Sequence, residues 1–357
     1  MGKMLGLGVT GLKSNFVTLE HPYKLNFAIT YWCQSHCIMC NIWDIKPKGE
    51  LSLEEIQEFA RKNSHFKWVE LTGGEPFLRS DIVEIARAFR DNSKGLYILT
   101  MPTNSLCNLD MVIKKITEIL ELGIPRIAIT VSLDGYRELH DMIRGVPGNF
   151  DKAIEMFKRL QALKKKYSNL FFVFGYTMLK QNQGQFMRTF EDVKKEIPEI
   201  RYNDFHLNLG QMSDNYYHTK NSDIKVSNAE LVASEINDVI KRREFDPSMI
   251  QAIERTFLVR LAEYARTGRQ PMRSRSMEAS LFMDSWGNIY PSIMWNKKIA
   301  NVREIGYDLD KIWHSPEAEQ VRQEIREGRE PVQWTSCEAY QAIIGNITSF
   351  VSMKSGR

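Results

Sequence analysis

From about Leu25 to about Asn208 the chain alternates six short β-rich runs with amphipathic helical segments, and this alternation restricts the fold more than any other feature. The runs are LNFAITY from Leu25, KWVEL from Lys67, LYILT from Leu96, RIAITVSL from Arg126, FFVFGYTML from Phe171 and DFHLNL from Asp204. Between the first two, Ser52 and Glu55 form a Ser-x-x-Glu capping box, in which each side chain satisfies an orphan backbone donor of the other residue. In AIEMFKRLQALKK, Ile154, Phe157, Leu160 and Leu163 recur at helical spacing with Lys and Arg on the other face. Strands separated by helices of this length predict a parallel sheet, because parallel neighbours need a long return connection. Six units predict an α/β fold, a partial (β/α)6 TIM-like barrel that stays open rather than closing with eight.

Past Gly210 the pattern changes. A polar stretch leads to two helices, one expected to begin at Ser227 with a second capping box to Glu230, the other from about Met249 to Arg266. A boundary is expected near Gly268. Beyond it, LFMD and NIYPS flank a Ser-Trp-Gly turn and predict a β-hairpin, followed by a helix from about Pro316 to Glu327. The expected organisation is an N-terminal extension (1–24), the partial barrel (25–225), bridging helices (226–268), a small α+β C-terminal extension (269–350) and a frayed tail (351–357).

Of the 357 residues, 43% are hydrophobic and 26% charged, a balance that buries a core and excludes disorder. The net charge of +4 leaves no nucleic-acid footprint. No run approaches the ~18 to 20 apolar residues of a membrane span, so no integral membrane association is expected. The first residues lack a cleavage site, and Gly6 stands where a myristoylation motif needs Ser or Thr, so the expected location is cytoplasmic. The glycine-interspersed N-terminus is compatible with contact to a membrane surface or a lipid-like substrate.

Five cysteines are present, and Cys33, Cys37 and Cys40 fall within one eight-residue window, leaving Cys107 and Cys337 alone. An odd, clustered set argues for metal ligation in a reducing compartment rather than for disulfides. YWCQSHCIMCNIW follows the first predicted strand, so its thiols sit at the end of the barrel where active sites are built. Cys-x3-Cys-x2-Cys supplies three thiolates, enough for three corners of a cubane. Zinc is a second reading of the spacing, but a structural zinc site needs a fourth ligand and His36, adjacent to Cys37, is poorly placed to supply it. A ferredoxin-type cluster likewise needs a fourth cysteine.

Here the chain resembles the radical S-adenosylmethionine (SAM) superfamily. The resemblance extends to Gly73, Gly74, Glu75 and Pro76 at the end of the second strand, to Pro102-Thr103-Asn104-Ser105 after the third, with Ser105 in the glycine position of a "TNG" turn, and to Ser132-Leu133-Asp134-Gly135 with Arg144-Gly145 after the fourth. It implies one 4Fe-4S cluster held by Cys33, Cys37 and Cys40, with SAM on the open iron and an electron donor such as flavodoxin or ferredoxin. It also implies SAM contacts from the Gly73–Pro76 turn and Asn104, ribose or substrate contacts from Ser132 and Asp134, and a SAM carboxylate partner in Arg144. Met39 stands at a position usually aromatic in the family, near the adenine, where a flexible apolar side chain fills the space. Asn208 and Gln211 fall where adenine or substrate contacts belong, or are ordinary loop polarity.

Residues 276–340 resemble the SPASM/twitch extension, which in relatives binds auxiliary Fe-S clusters. FMDSWGNIYPS is similar to "FIDPWGxVYPC", and WTSCEAYQAI to "CWTxCEAYQ", yet Ser292 and Gln333 stand where cysteines belong and only Cys337 remains. No auxiliary cluster is expected, which turns the expected chemistry toward redox-neutral outcomes such as epimerisation, rearrangement or radical addition. Cys337, or else Cys107, is a candidate catalytic thiol returning a hydrogen atom to a substrate radical, the alternative being a small buried hydrophobe. The resulting expectation is a radical SAM enzyme acting on a small carbohydrate, nucleoside or lipid-like substrate. A maturase of a ribosomally made peptide and a non-catalytic binding scaffold are the alternatives.

Overall fold

A computed structural model describes residues 2–219 and 222–346. Helix α1 (Gly2–Lys13) precedes six parallel strands: β1 (Lys24–Thr30), β2 (Trp68–Gly73), β3 (Ile98–Thr103), β4 (Arg126–Ser132), β5 (Leu170–Met178) and β6 (Phe205–Leu209). The crossovers carry α2 (Leu53–Lys62), α3 (Ile82–Asn92), α4 (Leu109–Glu121), α5 (Arg137–Arg144) with α6 (Asn149–Lys164), and α7 (Phe186–Glu196). Each strand pairs with its neighbour in sequence, all in parallel, which is the order of a singly wound, open barrel. The Ser52–Glu55 capping box is formed and starts α2.

The outer faces of the strands carry the core. Phe174 stacks on Phe157 of α6, and Tyr176 and Phe205 meet Phe186 of α7 edge-on. Inward positions are more polar, among them Lys24 and Asn26 of β1, Glu70 and Thr72 of β2, and His206 of β6.

After α8 (Ala229–Arg242) and α9 (Met249–Thr267), β7 (Ser280–Met283) pairs in parallel with β1, and β8 (Asn288–Tyr290) and β9 (Ala300–Asn301) follow antiparallel. The nine strands form one sheet. Gly268 caps α9 with φ 61, as a chain break near that residue requires, but the sheet and the apolar core continue across it, joining Phe27 and Leu71 to Leu281, Met283 and Trp313. The expected hairpin is thus an extension of the barrel wall. Helices α10 (Asp310–Trp313), α11 (Pro316–Arg326) and α12 (Ser336–Ile344) complete the fold. Helix α12 packs on α9 and is bound to the inward side of β1: Lys24 donates to the Cys337 carbonyl at 2.5 Å and to Gln341 Oε1 at 3.2 Å, and Asn26 donates to Glu338 at 3.1 Å.

Two local expectations change. The N-terminal extension contains a three-turn helix, because its glycines interrupt the apolar pattern without breaking the backbone. Helix α8 is capped by Asn228, not Ser227: the Asn228 side chain accepts from Leu231 N, while Ser227 Oγ accepts from Gln183 and Glu230 pairs with Arg266. The expected tail, 351–357, lies outside the described residues.

Candidate active site

The cysteine loop leaves the C-terminal end of β1 and is held from three sides. Glu50 receives Tyr31 N at 2.7 Å and Thr30 Oγ1 at 3.0 Å, fixing the start of the loop. The C-terminal carbonyls of α5 hold its middle: His36 N donates to Arg144 O at 3.0 Å and Ile38 N to Ile143 O at 2.9 Å. A segment after β6 closes the far end, with Asn41 N donating to Tyr217 O at 2.9 Å and Thr219 Oγ1 to Met39 O at 3.3 Å. Anchors at three separate points of the fold place the thiols.

All three cysteines are free thiols, Cys37 buried and the others half-buried. Donors face the sulfurs: Arg144 Nη1 lies 3.6 Å from Cys37 Sγ, Ser35 Oγ lies 3.0 Å from it, and Asn104 Nδ2 is 3.6 Å from Cys33 Sγ. Burial pushes the Cys33 thiol up to about 12 and the Cys40 thiol higher still, so these groups need a cationic partner to ionise. A mononuclear zinc site gathers its ligands on one ion, whereas a cubane takes each thiolate on a separate iron. The donor set fits a cluster with three protein ligands.

The Gly73–Pro76 turn crosses directly over the loop. Gly74 N donates to Thr30 O and Glu75 N to Trp32 O, both at 2.8 Å. Gly73 has φ +134, and a Cβ on either glycine would overlap a carbonyl oxygen of this loop, that of Thr30 for Gly73 and of Trp32 for Gly74. The glycines are therefore needed for close approach, but what they approach is the cysteine loop itself. The Gly73 carbonyl, the group suited to an ammonium, accepts from Tyr216 Oη at 3.2 Å, and that hydroxyl also meets Thr72 Oγ1 at 2.8 Å. Pro76 begins a short 3-10 turn.

Glu75 is buried and points inward, receiving Asn104 N at 2.7 Å and Phe77 N at 3.2 Å. Burial raises its pKa to about 7 against those two donors. It ties the second strand end to the third. Asn104 itself caps its own turn through Leu106 N and receives Asn149 Nδ2 on its carbonyl at 2.8 Å. Ser105 adopts φ 64, the left-handed conformation that explains why glycine suits this position.

Asp134 and Arg144 meet each other in the structure as an ion pair. Asp134 is wholly buried, its Oδ1 receiving Thr177 N at 2.8 Å and its Oδ2 lying 2.6 Å from Arg144 Nε. Through Thr177 N it braces β4 against β5, and it pairs with Arg144, while its Oδ2 has no hydrogen-bond partner. Ser132 is half-buried at the end of β4 opposite Gly175. Met39 packs with Ile143, Leu179 and Met212 beside the loop.

The two remaining thiols have different surroundings. Cys107 Sγ accepts from Gln34 at 3.2 Å, and burial raises the thiol to about 11. Cys337, at the start of α12, donates to Glu70 Oε1 at 3.2 Å and shares an apolar cluster with Cys33, Cys40, Tyr31, Tyr216 and Tyr217. Ser292 and Gln333, the positions where the resemblance places cysteines, touch through a 3.3 Å hydrogen bond.

Sequence reading missed Glu50, Glu70 and Tyr216, isolated polar residues in no motif. It also missed a buried group below them, in which His206 Nδ1 lies 3.0 Å from Glu254 and Tyr340 donates to Glu254 at 2.6 Å. Gln211 accepts from Tyr264 at 3.4 Å, while Asn208 Oδ1 is buried without a hydrogen-bond partner.

Residues 27–193 match the model of the radical SAM superfamily. The chain is 29% identical over 191 residues to the AdoMet-dependent heme synthase of Methanosarcina barkeri, which covers 52% of this chain and 51% of that protein. It is 32% identical over 186 residues to the Fe-coproporphyrin III synthase of the same organism, covering 50% and 42% respectively. A probable GTP 3′,8-cyclase of Sulfurisphaera tokodaii is 28% identical over 225 residues, 61% of this chain and 66% of that protein. The chain thus spans about half the length of the first two. In fold it is similar to Streptococcus suis SuiB bound to S-adenosylmethionine, with a TM-score of 0.58 at 17% identity over 98% of this chain and 78% of that one. It is also similar to anSMEcpe with bound AdoMet, with a TM-score of 0.58 at 15% identity over 84% and 83%. No helix among the described residues is long and apolar enough to cross a membrane. A cysteine loop built for a three-ligand cluster, on a parallel barrel matched by this family over its first five strands, identifies residues 27–193 as a radical SAM domain and the chain as an enzyme whose cofactors are a 4Fe-4S cluster and SAM.

Proposed function

We propose that this enzyme abstracts hydrogen from an unactivated C-H bond of a small substrate, with a single cluster on Cys33, Cys37 and Cys40 and a redox-neutral outcome. The bound cluster and SAM supply an electron and a 5′-deoxyadenosyl radical. The chain's own residues position and enclose: α5 and Glu50 hold the loop, Arg144 faces Cys37 with positive charge, and the Tyr216–Tyr217 segment covers the site from the side of β6. The observation that carries the reading is the placement of Cys337. Its S-H points at Glu70 inside the apolar cluster that also contains Cys33 and Cys40, where it supports return of a hydrogen atom.

A small substrate is supported by the curated relatives, whose names refer to heme, Fe-coproporphyrin III and GTP. SuiB has also been solved with its precursor peptide SuiA, but at 17% identity that likeness concerns the fold alone. The degenerate SPASM/twitch-like reading of 269–350 is supported by the contact of Ser292 with Gln333, which brings two former ligand positions together with no thiol on either.

Anaerobic reconstitution followed by iron counting tests the single cluster. About four irons per chain support it and about eight overturn it. Reductant-dependent formation of 5′-deoxyadenosine, absent in Cys37→Ser, separates the enzyme from a binding scaffold.

A further inference from the structure

The first 19 residues contain Lys3 and Lys13 and no acidic residue. In α1, Leu7 and Gly11 face the protein, and Gly11 allows contact with α12, since a Cβ there would overlap Ile344. Lys67 Nζ donates to the Gly6 carbonyl at 3.2 Å, and Arg275 donates to the Ser14 carbonyl at 3.1 Å just beyond the helix. The helix is therefore pinned along one side and at its end.

Its other side is apolar and uncovered. Leu5, Val9 and Leu12 recur at i, i+4 and i+7 on one face of α1, and Phe16 follows in the turn just beyond it, with Leu5 66% and Phe16 76% exposed. Burying the stripe against the body would satisfy it, yet the pinned face is the opposite one. Three large apolar side chains on one face of a fixed helix, with exposed Phe16 and Val17 just after it, are not the scattered surface hydrophobes of an ordinary protein. Lys13 borders the stripe on the helical wheel, and Lys3 lies at the exposed start of the helix. An apolar stripe with a basic neighbour and no acid complements an anionic lipid surface.

We propose that residues 2–17 form a membrane-surface anchor, with α1 lying along an anionic bilayer and the stripe inserted among the headgroups. Its place in the fold gives the anchor a direction. Leu7 packs with Tyr23, Ala279 and Tyr97, which immediately precede β1, β7 and β3, so α1 sits at the N-terminal end of the barrel. The cysteine loop sits at the other end. Docking through α1 turns the mouth of the active site away from the bilayer and leaves it open to a soluble electron donor.

The test is sedimentation of the full chain with vesicles of phosphatidylglycerol and phosphatidylcholine, against vesicles of phosphatidylcholine alone. Binding is expected to the anionic vesicles, to weaken about tenfold in Lys3→Gln/Lys13→Gln, and to be lost in Leu5→Gln/Val9→Gln/Phe16→Gln. These side chains are exposed, so far-UV circular dichroism and the thermal midpoint should not move, and retained folding makes loss of binding interpretable. The proposal is overturned if the native chain ignores anionic vesicles, if the triple variant binds as well as the native chain, or if light scattering shows the stripe closing a dimer that does not bind vesicles.

Discussion

Arg144 Nε lies 2.6 Å from Asp134 Oδ2, and the same guanidinium places Nη1 3.6 Å from Cys37 Sγ. One side chain thus joins the end of α5, the end of β4 and the cysteine loop, in a position where Asp134 is wholly buried and the Arg144 side chain only 11% exposed. Removing one member of a buried pair strands the other. Arg144→Met is expected to cost about 3 to 5 kcal/mol in denaturant unfolding and to lower iron retention after reconstitution. Asp134→Asn keeps an acceptor for Thr177 N and should cost less. A loss below about 1 kcal/mol in Arg144→Met would show that the pair is not a structural brace.

Gly74→Ala should be poorly tolerated for a reason unrelated to helix or strand propensity. The added methyl would overlap the Trp32 carbonyl, a backbone atom that cannot rotate away. The cost expected in unfolding is about 1 to 3 kcal/mol, accompanied by fewer irons per chain because the displaced group is the start of the cysteine loop. A variant with native stability and iron content would mean that the turn has room to shift.

Ser105→Gly should stabilise. The residue is held at φ 64, and its buried hydroxyl has no hydrogen-bond partner. Glycine removes both costs while loosening the unfolded chain, and the net gain expected is roughly 0.5 to 1 kcal/mol, read from the denaturant midpoint. A destabilised Ser105→Gly would show that the serine makes a contact worth more than the strain.

The strand-helix alternation was legible because each strand combines a continuous or alternating apolar face with a polar break, and the six parallel units follow from it directly. The cysteines, the glycine turn and the residues of the later turns were also legible, because short motifs carry their spacing with them. Roles were less so. Asp134 and Arg144 read as separate ligand groups in a one-dimensional string, and only the fold shows that they pair with each other. Glu70, Glu50 and Tyr216 have no local signature at all, since their importance comes from residues 20 to 267 positions away. Helix α1 was hidden for a compositional reason: its four glycines, at positions 2, 6, 8 and 11, lower helix propensity, and packing against α12 and Lys67 overrides it.

Glu338 couples α12 to pH. It is buried among Asn26, Ser276 and Ser280, and burial raises its pKa to about 7, with Lys24 and the two serines opposing. A carboxyl with a folded pKa above its unfolded value, about 4.5, prefers the folded state while protonated. Its stabilising share is therefore present below pH ~4.5 and is lost as pH rises through about 7. Glu338→Gln should leave stability near that of the native chain at pH 5 and exceed it at pH 8, measured by paired denaturation curves. A constant difference between the two proteins across that range would contradict the assignment.

The proposed role of Cys337 makes the sharpest chemical prediction. A thiol that returns a hydrogen atom to a substrate radical is left as a thiyl radical, which one electron from the external donor and one proton from solvent restore to S-H before the next turnover, so product formed in D2O should carry deuterium at the carbon that was attacked. Glu70, 3.2 Å from Cys337 Sγ, is placed to exchange that proton with the polar interior. Cys337→Ala should keep reductant-dependent formation of 5′-deoxyadenosine, because Cys33, Cys37 and Cys40 are untouched, and should lose deuterated product. Cys107→Ala should behave as the native enzyme, since Cys107 is held by Gln34. Cys337→Ala with unchanged, deuterium-labelled product would remove Cys337 from the reaction, and transfer of the effect to Cys107→Ala would make Cys107 the donor.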